Sequence, residues 1–132
     1  MNQPNYSIVI PLYNKAPYIK RALDSILSQT YQNFEIIVVD DGSTDGSGEI
    51  VKSIKDDRIK LIRQENAGVS AARNKGVSEA KCELIAFLDA DDEWDRGFLM
   101  KIHELVEEFP DCGIYATSYQ IREKYDSSRT RG

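Results

Sequence analysis

Five apolar residues, Leu84-Ile85-Ala86-Phe87-Leu88, run straight into four acids within the next five positions, Asp89 to Glu93. An apolar run this short, bounded by polar residues, predicts a strand buried on both faces, as in a parallel sheet. Its carboxyl end delivers carboxylates to the rim where open α/β sheets bind ligands. Asp89 and Asp91 are two positions apart, so a continuing strand points both side chains the same way. Two converging oxygen donors suit a hard divalent cation, Mg²⁺ or Mn²⁺, that also holds a phosphate. The plainer alternative for this motif alone is a solvated acidic loop.

The rest of the chain repeats the pattern of short strand and amphipathic helix. Ser7 to Leu12 predicts a first strand, with pairing expected to end near Pro11, which has no N–H to donate. Pro17 fits the first turn of a helix that carries Ile19, Ala22, Leu23, Ile26 and Leu27 at helical spacing. Phe34 to Val39 predicts a second strand, stopped by the polar loop Asp40 to Ser47, and a shorter helix then carries Ile50, Val51 and Ile54. A third strand is expected at Ile59 to Ile62. Asn66-Ala67-Gly68 opens a helix to about Ala80, with an inward stripe of Val69, Ala72, Gly76 and Ala80. After the acidic strand, a last helix carries Phe98, Leu99, Ile102, Leu105, Val106 and Phe109. A final strand is predicted at Gly113 to Ile121, and the polar tail from Lys124 to Gly132 is expected to fray. Four alternations call for right-handed βαβ units, hence an α/β fold with a mainly parallel, doubly wound, Rossmann-like sheet and helices on both faces.

The 132 residues suit one domain with a single core, and 30% charged with 41% hydrophobic residues fits a globular protein. A net charge of −5 argues against a nucleic-acid partner, which would want a basic face. No apolar run is long enough for a membrane span, and the polar N-terminus does not read as a signal peptide, so a cytoplasmic location is expected. Cys82 and Cys112 lack metal-site spacing, so reduced thiols and no zinc site are expected.

Several residues do not belong to a core. Val39 feeds Asp40-Asp41 as Leu88 feeds Asp89, so two strands bring acids to one rim. Uncompensated, that cluster repels itself, and a cation or hydrogen-bonding ligand is expected there; simple helix capping is the other reading of Asp40-Asp41. Arg73, beside the packed stripe of its helix, should seek an anion, either an internal partner such as Asp41 or a ligand's diphosphate. Tyr13 and Asn14 follow the first strand to the same rim, where the tyrosine either stacks on a base or is an ordinary surface residue. Trp94 either plugs the space under the last helix or walls a sugar pocket. His103 is read as a surface residue.

Four motifs in register then carry a resemblance: Ser7 to Asn14, Val38-Val39-Asp40-Asp41-Gly42-Ser43-Thr44-Asp45, Asn66-Ala67-Gly68 with Ala72-Arg73-Asn74, and Asp89-Ala90-Asp91-Asp92. From about Tyr6 to Phe109 the chain resembles family 2 glycosyltransferases of the GT-A fold. The resemblance implies a nucleotide-sugar donor, usually a UDP-sugar, a Mn²⁺ or Mg²⁺ ion, and inversion at the anomeric carbon. The acceptor would be a carbohydrate, lipid or other hydroxyl. It implies a donor site of Pro11, Tyr13, Asp41, Arg73, Asp89 and Ala90. Within it Tyr13 packs on the base, Asp41 hydrogen-bonds the uracil, Arg73 lies near the nucleotide and Asp89 lies near the ribose and metal. The resemblance also implies that Asp91 is the direct metal ligand. A catalytic base is expected beyond residue 132. The chain thus reads as the donor half of a longer enzyme, inactive alone, whose full-length form has the option of peripheral membrane association. Arg96 stands where relatives commonly have proline. The rival reading is a phosphoacceptor receiver-like signalling domain with Asp89 as acceptor, and a pure binding module is a third.

Overall fold

In the computed structural model, which describes residues 4–109, the elements alternate as read from sequence. They are β1 (Tyr6–Leu12), α1 (Ala16–Leu27), β2 (Phe34–Asp41), α2 (Ser47–Ser53), β3 (Ile59–Gln64), α3 (Val69–Glu79), β4 (Leu84–Phe87) and α4 (Phe98–Glu108). All pairings are parallel, in the order β3-β2-β1-β4. The strand predicted at 113–121 and the frayed tail lie outside the described residues.

Burial follows from that order. β1 and β2 are the inner strands; every residue of β1 is buried, and in β2 only Glu35 is not. Ile8, Ile10, Leu12, Ile36, Val38, Ala86 and Leu88 form one core with the inner faces of α1 and α4. The opposite face carries Ile37 and Val39 against Ala72 of α3. There the helix sits so close that a Cβ at Gly76 would overlap Val9 Cγ1 and lie 3.1 Å from its Cγ2.

Four expectations are corrected. The acidic strand is not buried on both faces: β4 is an edge of the described sheet, and Leu84, Ile85 and Phe87 are only partly buried. Periodicity reports burial, not strand order. Strand β2 does not stop at Val39, because Asp40 and Asp41 still pair with Arg63 and Gln64 of β3. Val69 is 52% exposed rather than part of the inward stripe, because it begins α3 before the helix reaches the sheet. His103 is half-buried: its Nδ1 lies 3.0 Å from the Tyr6 hydroxyl and its ring 4.5 Å from that of Tyr31. Trp94 fills the space under α4, 4.6 Å from the Phe98 ring. Pro11 is tolerated in β1 because the β1–β4 ladder ends at Val9–Phe87, so its missing N–H faces no partner strand.

Candidate functional site

The carboxyl ends of the strands surround one cavity of about 390 Å³. From the end of β1 come Pro11, Tyr13 and Lys15, and from β2 comes Asp41. The β3–α3 connection supplies Asn66 and Gly68, and the first turns of α3 supply Val69, Ala72 and Arg73. The loop after β4 supplies Asp89, Ala90 and Asp91. All seven residues nominated from sequence therefore line the same space. Lys15, Asn66 and Val69 were not nominated. Lys15 could have been, since it follows Tyr13-Asn14 in a rim loop; Val69 was hidden by its helical spacing.

Part of the compensation that the acidic cluster needs comes from the protein, because Asp40, Asp41, Asp89 and Asp91 each meet protein donors or cations. Consecutive strand residues face opposite ways, and this separates the β2 pair. Asp40 turns to the α1 face, 1% exposed, and accepts from Arg63 Nη1 at 2.8 Å and from Ser43 N at 2.9 Å. Asp41 turns to the α3 face, where its Oδ1 accepts from Gln64 Nε2 at 2.9 Å and Ala67 N at 2.8 Å. Its Oδ2 accepts from Gly68 N at 2.9 Å and Asn66 Nδ2 at 3.2 Å. Four donors fill the acceptor capacity of a carboxylate. Asp41 thus folds the loop that starts α3, with Gly68 at φ 101.

Arg73 does find an internal anion, but it is Asp89, at 3.2 Å, rather than Asp41. The reason is that backbone amides occupy Asp41. Lys15 Nζ lies 3.5 Å from Asp91 Oδ2, and Arg21 Nη2 donates to the Asp91 carbonyl at 2.9 Å. With the two side chains 42% and 46% exposed, the Lys15–Asp91 pair is weak and readily displaced.

Burial on its own raises the Asp41 pKa, yet the bonds from Gln64, Ala67 and Gly68 together outweigh it, and the net direction is down. A carboxylate whose pKa is depressed by folding stabilises the native state above its unfolded value, about 3.9. That contribution disappears as pH falls through the lower native value. The expected outcome is a urea midpoint that drops on acidification below about pH 4, with a smaller drop in Asp41→Asn. An equal acid response in the two proteins would show that other carboxylates carry it.

Among the described residues no group of three or more His, Cys, Asp or Glu side chains is placed to hold a metal. That does not disqualify Asp89 and Asp91. A Mg²⁺-like ion ordinarily takes one or two carboxylates and completes its shell with substrate phosphates and water. The hard-oxygen donor set at the cavity fits that pattern.

Comparison with known proteins settles the lineage. The profile of Glycosyl transferase family 2 matches residues 7–131. The chain belongs to glycosyltransferase family 2. Glycosyltransferase GlyG of Streptococcus pneumoniae serotype 4 is 42% identical over 125 residues, covering 92% of this chain and 40% of GlyG. Among solved structures, Staphylococcus aureus TarS 1-349 in complex with UDP-GlcNAc superposes with a TM-score of 0.76 at 30% identity, over 80% of this chain and 32% of that one. The mannosyltransferase PcManGT from Pyrobaculum calidifontis, in complex with GDP-Man and Mn²⁺, gives 0.72 at 30% identity, over 80% and 33%. The family 2 domain thus spans under half the length of each, and its sheet is of the GT-A glycosyltransferase type. The receiver-like alternative finds no support, and Asp40, which its acidic pocket needs, faces away from the cavity.

Proposed function

We propose that this family 2 domain binds a UDP-sugar donor, in a metal-dependent manner, for inverting transfer to an acceptor hydroxyl. The observation that carries the reading is the cavity itself, with an aromatic ring on the loop after β1, two carboxylates on the loop after β4 and the Arg73 guanidinium reaching them from α3. The resemblance to TarS, whose solved structure holds UDP-GlcNAc, supports the uridine donor. PcManGT, solved with Mn²⁺, supports a divalent cation.

In this reading Tyr13 packs on the base beside Pro11. The Asn66 amide makes the longest of the four bonds to Asp41, and its release frees an acceptor for the base N–H. Arg73 and Asp89 lie along the ribose and diphosphate beside Ala90. Asp91, with Asp89, would hold Mn²⁺ or Mg²⁺, displacing Lys15. The bound ion would offset the negative charge that develops on the leaving diphosphate. The acceptor's proton must pass to a carboxylate base, which we assign beyond residue 132, because in this reading the cavity carboxylates are taken up by the nucleotide and the metal. The acceptor is a carbohydrate, lipid or other hydroxyl. We place the protein in the cytoplasm, with peripheral membrane association as an option for a longer form; no helix among the described residues is long and apolar enough to cross a membrane.

Titration calorimetry of this chain with UDP tests the reading. Mn²⁺ is expected to tighten binding by about tenfold to a hundredfold, and Asp91→Ala to remove that enhancement. Metal-dependent affinity that survives the substitution would refute the role of Asp91.

A further inference from the structure

The geometry points to Asp40 and Arg63, which lie outside the cavity, as positioning residues for Tyr13 and hence for the nucleobase. This rests on the nucleotide reading above and goes beyond it, because neither residue lines the cavity; both border a separate surface hollow of about 510 Å³.

The chain of contacts is continuous. Asp40 Oδ1 accepts from Ser43 N at 2.9 Å, its Oδ2 accepts from Arg63 Nη1 at 2.8 Å, and Arg63 Nη2 donates to Ser43 O at 3.0 Å. Ser43 is therefore gripped at both its backbone groups. Its hydroxyl accepts from Asn14 N at 2.9 Å, and the next residue, Thr44, donates its N–H to Asn14 Oδ1 at 2.8 Å. Two further bonds join the loops, Lys15 N to Ser47 Oγ at 3.1 Å and Ala16 N to Asp45 Oδ2 at 3.0 Å. The loop that carries Tyr13 thus hangs on the loop that Asp40 and Arg63 hold.

Asn14 has φ 51, in the left-handed region that costs most non-glycine residues energy and that asparagine tolerates best. The reciprocal bonds to Ser43 and Thr44 hold that turn, which sets the direction in which the preceding side chain leaves the backbone. Tyr13 is 47% exposed, so packing does little to fix its ring. Its placement depends on the backbone, and the backbone depends on the clamp. Gly48 makes room for this arrangement, since a Cβ there would stand 2.8 Å from Asp40 Oδ2.

Removing the partner of a buried charge destabilises a fold, so Arg63→Gln, which keeps an amide donor, is paired with Ser43→Ala, which removes only the hydroxyl link to Asn14. Affinities for UDP and for inorganic pyrophosphate, both with Mn²⁺, are measured by calorimetry in these variants, with and without Tyr13→Ala, alongside thermal midpoints. Each variant is expected to bind UDP about tenfold more weakly, the scale of one hydrogen bond. Pyrophosphate affinity should stay the same, and the UDP loss should vanish in the Tyr13→Ala background, as coupling through one residue requires. Unchanged UDP affinity, a parallel loss for pyrophosphate, or losses that add to that of Tyr13→Ala would overturn the assignment. Failure of the unsubstituted chain to bind UDP would instead overturn the nucleotide reading on which the assignment rests.

Discussion

Asp41→Ala is expected to lower stability by about 3 kcal/mol and to abolish measurable UDP binding. Hydrogen bonds to an ionised group are each worth roughly 1.5–3 kcal/mol net, and Asp41, 2% exposed, accepts four. The full sum does not apply, because residues 66–68 are exposed and water can reach their freed N–H groups. Asparagine is a poor rescue: its amide nitrogen must face either the Ala67 or the Gly68 N–H, donor against donor. The loop it organises supplies Asn66, Gly68 and the start of α3 to the cavity wall, so binding falls with it. Urea unfolding and UDP calorimetry check both halves. A loss under about 1 kcal/mol would mean that the four bonds are not what shapes the loop.

The second large effect is expected at Gly76, which does not itself line the cavity. In a helix interior, glycine to alanine ordinarily gains up to about 1 kcal/mol. Here the added methyl would overlap Val9 Cγ1, and Val9 is fully buried in an inner strand. Overpacking of this kind costs about 1–3 kcal/mol or more, so Gly76→Val should lower the thermal midpoint by about 10 °C. Relief must come from α3 moving off the sheet, which carries Arg73 away from Asp89. Gly76→Ala combined with Val9→Ala should be more stable than the sum of the single losses, because the smaller partner removes the overlap. Thermal unfolding of Gly76→Val, of the two single alanine variants and of their double measures this, and strict additivity in the alanine cycle would mean that the helix does not rest on Val9.

The fold was largely legible. Runs such as Ile8 to Ile10 and Ile36 to Val39 are apolar without alternation, as strands buried on both faces must be. The helical spacing of Ile19, Leu23 and Ile26 left no other assignment for that segment. Strand order was not legible, and so β4 read as interior when it is an edge. That Tyr13, Asp41, Arg73, Asp89 and Asp91 meet at one rim could be read because strand ends converge in any parallel sheet, whereas Pro11 and Ala90 came only from the resemblance. The pairings within the site could not be read. Which anion Arg73 meets depends on Asp41 being saturated by backbone amides of Ala67 and Gly68, and main-chain donors leave no mark on composition. His103 shows the same limit, since its partners Tyr6 and Tyr31 are distant in sequence.

The adjacent acids that close β2 have one more effect. A shift of that strand by a single residue against its neighbours would exchange the two sides, pushing Asp40 among the α3 amides and Asp41 toward the guanidinium of Arg63. Every apolar residue of the strand would also turn to the wrong layer. Asp40 and Asp41 therefore act as paired alignment pins, each fitting a differently shaped socket, so that the strand's threading is verified at the same edge that the cavity occupies.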